Sequence, residues 1–131
     1  MSLFKKKSNV SNETLKYGAK LITVKEPKSV ISEQFRTIRT NISFMGIDHP
    51  IKTLAFTSVN ISEGKSTVID NIAVVWANTG KRVLLVDADL HRPTLHQTFN
   101  VSNREGLTTI LTSDRLEMDI TNMIKETSVD N

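Results

Sequence analysis

The order of four segments restricts the folds that this chain can adopt. An apolar run is followed by a glycine–lysine turn, a helical pattern and a second apolar run. Residues 53–58 are rich in apolar and β-forming side chains and predict a buried strand. Residues 66–78 place apolar side chains at helical spacing, and Gly80 can end that helix. Residues 82–87 predict a second strand, buried on both faces of a sheet. This succession predicts an α/β fold with a parallel sheet and a right-handed crossover.

The turn between the first strand and the helix carries residue types that bind a nucleoside triphosphate, Glu63-Gly64-Lys65-Ser66-Thr67. Gly64 lets the backbone approach a phosphate, because it has no Cβ. Lys65 would reach the β- and γ-phosphates, and the Ser66 hydroxyl would coordinate Mg²⁺. Thr67 is placed to meet the α-phosphate, and the helix N-terminus adds free amides. The sequence therefore predicts a P-loop site for ATP and Mg²⁺ that is built from these five residues.

The strict form of this motif begins with a glycine, and Val59 stands at that position. The tetrapeptide that starts at Gly64 is common by chance, so the motif alone is weak evidence. Its position between an apolar run and an apolar helix favours a nucleotide site over the alternative, a helix cap in a solvent loop.

Two carboxylates follow the second predicted strand, Asp87 at its end and Asp89 two residues later. Ligands of open α/β sheets bind at the carboxyl ends of the strands. Asp87 could hold Mg²⁺ through water or accept a proton from an attacking hydroxyl, and Asp89 could share either role. Lys65, Asp87 and Asp89 are therefore the predicted catalytic residues, with Ser66 and Asp87 as the predicted metal site. The alternative is that the two acids only solvate a loop.

A helix is predicted from residue 28 to about residue 44, since apolar side chains recur there at helical spacing. Ser29 or Ser32 can cap its start, and Gly46 can end it. Further along the chain, three short helical pieces are predicted but no third strand: 93–99, 107–111 and 118–125.

Glu33, Arg36 and Arg39 recur on the first predicted helix at a spacing of three. This spacing favours ion pairs along the surface of one helix, which contribute little to stability. A contact with another molecule is the alternative that the spacing leaves open.

The basic charge lies mainly in residues 1–25, which contain six lysines and one glutamate. We therefore divide the chain into a basic flexible arm, residues 1–27, and a folded part, residues 28–131. Lys5-Lys6-Lys7 could touch anionic lipid, but a solvated tail is the simpler interpretation. Aromatic residues make up 5% of the chain, which argues against nucleic-acid binding. No apolar run reaches the length of a membrane span, so the chain is expected to be soluble and cytoplasmic.

Three blocks in this order resemble the bacterial tyrosine kinases that control capsular and exopolysaccharide synthesis, in their Gram-positive cytoplasmic form. They are Glu33-Gln34-Phe35-Arg36-Thr37-Ile38-Arg39, then Thr57-Ser58-Val59-Asn60 leading into Glu63-Gly64-Lys65-Ser66-Thr67, and Leu84-Leu85-Val86-Asp87-Ala88-Asp89-Leu90-His91-Arg92-Pro93. The resemblance covers residues 27–131 and implies a P-loop NTPase fold like that of the partition ATPases. It also implies ATP-dependent phosphorylation of tyrosine on a neighbouring subunit.

The resemblance assigns roles to the motif residues. Lys65 and Ser66 would belong to the Walker A motif, and Asp87 and Asp89 to the Walker A′ motif. The helix block would be a self-association motif, with Glu33, Arg36 and Arg39 at the oligomer interface. Implied partners are further copies of the chain in a ring and a membrane-embedded polysaccharide co-polymerase. That adaptor would recruit the protein to the inner face of the membrane.

The sequence departs from the family pattern in two ways. Ile61 and Ser62 stand where family loops commonly have proline and glycine. No strand ending in a Walker B aspartate and no C-terminal tyrosine cluster is present, so we expect only the N-terminal half of the domain, truncated at its C-terminus, with weak turnover or none. A partition-type ATPase is one alternative, although such loops usually carry an additional early lysine and none lies between Lys52 and Lys65. A non-catalytic, partner-binding subunit is the other.

Overall fold

The computed structural model describes residues 13–114 and 119–131. Lys5-Lys6-Lys7 and Met118, the first residue of the last predicted helical piece, lie outside the described residues. The helices are α1 (13–17), α2 (Ile22–Lys25), α3 (Val30–Met45), α4 (Lys65–Ala77), α5 (Leu95–Thr98), α6 (Leu107–Leu111) and a 3-10 helix (Ile120–Met123).

The chain folds as two compact units, which are described separately. One unit is formed by Lys20–Val83 with Val129–Asn131, and it contains α2, α3 and α4. The other contains, among the described residues, 13–19, 84–114 and 119–128. The predicted nucleotide loop lies in the first unit, and the predicted carboxylate pair lies in the second.

Helix α3 begins and ends where local signals in the sequence predict. The Ser29 hydroxyl accepts a hydrogen bond from the Ser32 amide at 3.2 Å, which satisfies one free N–H of the first turn. Gly46 follows the last helical residue as the C-cap. The prediction that Ser29 or Ser32 caps the helix is thereby confirmed in favour of Ser29.

Helix α4 forms the core of its unit, packed against α2 and α3. It is buried on almost every side from residue 70 to residue 75, and Ala77 is buried as well. The Gly80 amide donates to the Ala77 carbonyl at 2.8 Å, with Gly80 in a left-handed conformation at φ 79°. The predicted helix and its glycine stop are therefore confirmed.

The described residues contain no β-strand, so the predicted parallel sheet is not confirmed. Residues 53–58 have no regular secondary structure and are mostly exposed. Leu84 and Val86 are 62% and 53% exposed, contrary to the expected burial on both faces. An extended segment becomes a strand only when its backbone finds a partner. In the part of the chain that the structure describes, the one backbone–backbone hydrogen bond of residues 82–87 joins the Val83 amide to the Asn131 carbonyl at 2.8 Å.

The second unit is held by a contact between α5 and the residues that follow α1. The Ala19 amide donates to Thr98 Oγ1 at 2.8 Å, and Ala19 is buried. Gly18 has φ 76°, and a Cβ there would overlap the backbone N and Cα of Thr98. Close approach and backbone conformation therefore both require glycine at this position. Helix α6 matches its predicted range, and none of the described helices is long and apolar enough to cross a membrane.

Candidate functional site

The candidate loop turns into α4 at Gly64, which occupies the N-cap position. Gly64 has φ 90° and ψ 14°, in the left-handed region that residues with a Cβ rarely adopt. A Cβ placed there would meet nothing within 4 Å. The glycine is therefore required by backbone conformation, and the open space beside it is available to a ligand.

The first turn of α4 leaves its amides open. No side chain caps the helix, and the first helical bond runs from the Val68 amide to the Gly64 carbonyl at 2.9 Å. The amides of Lys65, Ser66 and Thr67 have no hydrogen-bond acceptor among the residues that the structure describes. Three open N–H groups at the positive end of a helix form a binding position for an anion.

The ammonium group of Lys65 is available for the same anion. Its side chain is half-buried. Within residues 13–114 and 119–131, the ion pairs join Lys20 to Glu26 and Arg36 to Glu33, and neither involves Lys65. A lysine beside open amides can bind a polyphosphate through charge and hydrogen bonds together.

The loop before Gly64 is braced by its own side chains. Glu63 accepts hydrogen bonds from the Asn60 amide at 3.2 Å and from Asn60 Nδ2 at 2.8 Å. The Ser58 hydroxyl donates to the Asn60 carbonyl at 2.8 Å. Glu63, predicted as a cofactor-binding residue, thus holds the turn together in this structure. The sequence analysis did not predict Asn60 as the partner of Glu63. An asparagine three residues before an acid is nevertheless a local pattern that indicates such a turn.

Asp87 and Asp89 organise a turn in the other unit. Asp87 Oδ2 accepts the amides of Thr94 and Leu95 at 2.9 and 3.1 Å, and its Oδ1 accepts the Asp89 amide at 3.1 Å. Asp89 Oδ1 accepts the Arg92 amide at 3.0 Å. Both carboxylates therefore satisfy backbone groups, and Asp87 serves the open amides at the start of α5. Their predicted catalytic and metal-binding roles remain predictions.

The three charged residues of α3 have different partners. Arg36 Nη1 lies 2.5 Å from a carboxylate oxygen of Glu33, and its Nη2 donates to the Pro27 carbonyl at 2.6 Å. Arg39 Nη1 instead donates to the Val75 carbonyl in the last turn of α4, at 3.0 Å. The ion pair that the spacing favours is thus present, while Arg39 joins two helices.

The chain is similar in sequence to known tyrosine-protein kinases of bacteria. Over 91 residues, 70% of the chain, it is 53% identical to the tyrosine-protein kinase YwqD of Bacillus subtilis (strain 168). Over 106 residues, 81% of the chain, it is 42% identical to CapB of Staphylococcus aureus, whose name assigns it provisionally to the tyrosine-protein kinases. Over 93 residues, 71% of the chain, it is 34% identical to the tyrosine-protein kinase wzc of Salmonella typhi.

These matches cover only part of each relative. They span 38% of YwqD, 45% of CapB and 13% of wzc. The chain therefore spans less than half the length of the relatives to which it is similar. No family model matches it, and no solved structure gives a significant match.

Proposed function

Since this chain belongs to the family of bacterial tyrosine-protein kinases, we propose that it is the nucleotide-binding part of an ATP-dependent protein-tyrosine kinase that regulates capsular or exopolysaccharide synthesis. The observation that carries the proposal is the start of α4. There Gly64 is left-handed, and three amides and the ammonium of Lys65, which have no partner among the described residues, offer a polyphosphate both hydrogen bonds and charge. Catalysis of phosphoryl transfer depends mainly on such positioning and charge neutralisation.

In this proposal, Lys65 and the amides of residues 65–67 hold the phosphates of ATP. The hydroxyl of Ser66 is half-buried and has no hydrogen-bond partner in the described part of the chain, so it is free to bind Mg²⁺. Mg²⁺ supplies neutralisation of the charge on the transferred phosphate. Glu63 is proposed to bind the nucleotide as part of the same loop, and its bonds to Asn60 support the turn.

Asp87 is proposed as the carboxylate that accepts the proton of the attacking tyrosine or binds Mg²⁺ through water, with Asp89 beside it. The backbone amides of Thr94 and Leu95 hold the Asp87 carboxylate in one orientation. A catalytic group needs such a fixed orientation, because a misplaced base loses most of its effect.

The parallel sheet also belongs to the proposal. Helix α4 is buried on almost every side within its unit, and two apolar segments without regular secondary structure, 53–58 and 82–87, flank it in sequence. We propose that these segments are strands of the sheet once their backbones find partners. Circular dichroism that detects β structure in a longer kinase chain, but not in residues 1–131, would support this. Equal β content in both chains would contradict it.

Self-association through α3 is proposed from its exposed face. Glu33 is exposed beside Arg36, and Val30, an apolar residue three positions before Glu33, is open to solvent on the same side of the helix. A mixed apolar and charged face is typical of an interface between subunits. We further propose a ring of such subunits, bound by a membrane-embedded co-polymerase at the inner membrane face. In this arrangement residues 28–131 carry the nucleotide site and residues 1–27 supply basic charge.

A single experiment separates the proposed kinase from its alternatives. The chain is titrated with Mg·ATP, then incubated with ATP and a glutamate–tyrosine copolymer, and phosphotyrosine and released phosphate are both measured. Its one tyrosine, Tyr17, is 67% exposed and is a second substrate to follow by mass spectrometry. Nucleotide binding with phosphotyrosine supports the kinase. Released phosphate without phosphotyrosine favours a partition-type ATPase, and no nucleotide binding leaves a non-catalytic partner subunit.

A further inference from the structure

A buried asparagine links the P-loop helix to the segment that precedes α3. Asn71 of α4 is fully buried, and its Oδ1 accepts both the amide and the hydroxyl of Thr23, at 3.0 and 2.8 Å. Its Nδ2 donates to the carbonyls of Lys20 and Thr67, at 2.9 and 2.8 Å. All four hydrogen-bonding positions of the side-chain amide are therefore used. Every atom of this network belongs to the unit that runs from Lys20 to Val83.

The other side of the same segment is fixed to α3. Ser32 is fully buried, and its hydroxyl donates to the Glu26 carbonyl at 2.7 Å and lies 3.4 Å from the Ile22 carbonyl oxygen. We call residues Lys20–Glu26 the strap. The strap is thus bound to α4 through Asn71 and to α3 through Ser32.

The network reaches into the first turns of the P-loop helix. Thr67 is the third residue of α4 and a predicted phosphate contact, and its carbonyl accepts from Asn71 one turn later. The loop before the helix is exposed at residues 59–63, and Ser58 and Glu63 form hydrogen bonds with Asn60 there. Because Lys65 is the first residue of α4, its position depends on the placement of α4, which the strap holds through Asn71.

We propose that Thr23 and Asn71 are positioning residues for the nucleotide, acting through α4 on Lys65 and on the open amides beside it. The inference rests on the proposed function, since it assumes that the loop binds ATP. Buried polar side chains with complete hydrogen bonding select one arrangement of the elements that they join. A shift of the helix start by a fraction of an ångström would move all of its phosphate donors together.

The test replaces the Thr23 hydroxyl while keeping the shape of the side chain. Thr23→Val removes one of the two bonds that Asn71 Oδ1 accepts from Thr23, and it leaves the backbone bond in place. Thr40→Val is the matched control, because it removes a hydroxyl bond from the exposed surface of α3, 2.9 Å from the Arg36 carbonyl. We expect Thr23→Val to raise the Kd for Mg·ATP about fivefold, the size of one hydrogen bond, and Thr40→Val to leave it unchanged.

Hydrogen exchange distinguishes positioning from a general loss of stability. In the ligand-free protein, Thr23→Val should speed amide exchange at residues 68–71 more than at residues 74–77, within the same helix. Thr23→Ser keeps the hydroxyl and should restore both the Kd and the exchange pattern. If Thr23→Val does not fold, Thr23→Cys retains the size of the side chain with a weaker donor, and should show the same pattern to a smaller degree.

The outcomes separate the inference from the proposed function. If the parent chain does not bind Mg·ATP, the proposed function and this inference both fail. If the parent binds, but Thr23→Val and Thr40→Val bind with the same Kd, the inference alone is overturned. It is also overturned if exchange accelerates equally along all of α4, because the network would then contribute only stability.

Discussion

Arg39 of α3 donates a hydrogen bond from Nη1 to the Val75 carbonyl in the last turn of α4, at 3.0 Å. The last carbonyls of a helix lack partners within it and carry partial negative charge, so a guanidinium is a favourable group at this position. The Thr79 amide, which could have bonded to the Val75 carbonyl, bonds to the Trp76 carbonyl instead. One residue of the motif on α3 is therefore a helix–helix contact within the unit.

Arg39→Ala should lower the free energy of unfolding by about 1–2 kcal/mol, because it removes a charged donor from the end of α4. Arg36→Ala is the matched variant, and it should cost less than about 1 kcal/mol, because its ion pair with Glu33 and its bond to the Pro27 carbonyl both lie in exposed positions. Urea denaturation measures both. Equal losses for the two variants would contradict the structural role of Arg39.

The proposed interface makes a separate prediction about mass. Glu33→Ala with Arg36→Ala should reduce the size of the oligomer in light scattering, while the secondary structure is unchanged. Glu33 is exposed and Arg36 pairs with it at the surface, whereas Arg39 bonds to α4. An unchanged mass would leave the pair as an ion pair on the surface of one helix.

Lys65→Met should remove most of the affinity for Mg·ATP and leave the melting temperature within a few degrees of the parent. The reason is that this lysine has no ion pair to lose within the described residues, whereas the proposed nucleotide site would lose its cation. Lys52→Met is the control, because Lys52 is an exposed lysine outside the loop. Isothermal titration calorimetry that finds the same Kd for Lys65→Met and the parent would show that the loop is assigned wrongly.

The loop offers a matched pair of glycine substitutions. Ser62 has φ 61° and Gly64 has φ 90°, both in the left-handed region. Ser62→Gly should leave stability unchanged or raise it by up to about 1 kcal/mol. It removes backbone strain in the folded protein, but it also increases the conformational entropy of the unfolded chain, which opposes the gain. Gly64→Ala should lower stability by about 1 kcal/mol or more, although its Cβ has space. Thermal melts of both variants are the measurement, and a loss for Ser62→Gly larger than that for Gly64→Ala would contradict this geometry.

Asp87→Ala should loosen the start of α5 as well as impair any catalysis. Its carboxylate accepts three backbone amides, and all three would lose their acceptor, including the two at the start of α5, Thr94 and Leu95. We expect a loss of about 1–3 kcal/mol and faster amide exchange at both residues. Asp87→Asn keeps one oxygen and should fall between Ala and the parent. An unchanged rate of amide exchange at Thr94 in Asp87→Ala would contradict the conclusion that Asp87 stabilises the start of α5.

The sequence predicted the long helices because their signals are local. Ser29, Gly46 and Gly80 stand at the ends of α3 and α4 as caps and stops, and apolar spacing fills the residues between them. The turn at Gly64 was also predicted, because a glycine between an apolar run and an apolar helix indicates a tight backbone turn at the start of the helix.

The sequence did not predict the contacts that join distant segments. Asn71 and Thr23 lie 48 positions apart, and a lone asparagine in an apolar helix gives no sign of its partner. The bond from Arg39 to Val75 joins residues 36 positions apart. The predicted strands depend on partners in the same way, because a strand is stabilised by what lies beside it more than by its own residues.

The exposure of Leu84 and Val86 in the apolar segment 82–87 affects how the purified protein behaves at high concentration. An apolar segment whose backbone groups are unpaired can form β-pairs with the same segment of another molecule, and this leads to aggregation. Two cations, Lys81 and Arg82, stand at the start of this segment and an acid, Asp87, stands at its end. Charges at these positions repel the same charges of a second molecule and so oppose its pairing in register. Because that repulsion is screened by salt, concentrated preparations should stay clear longest in buffers of low ionic strength.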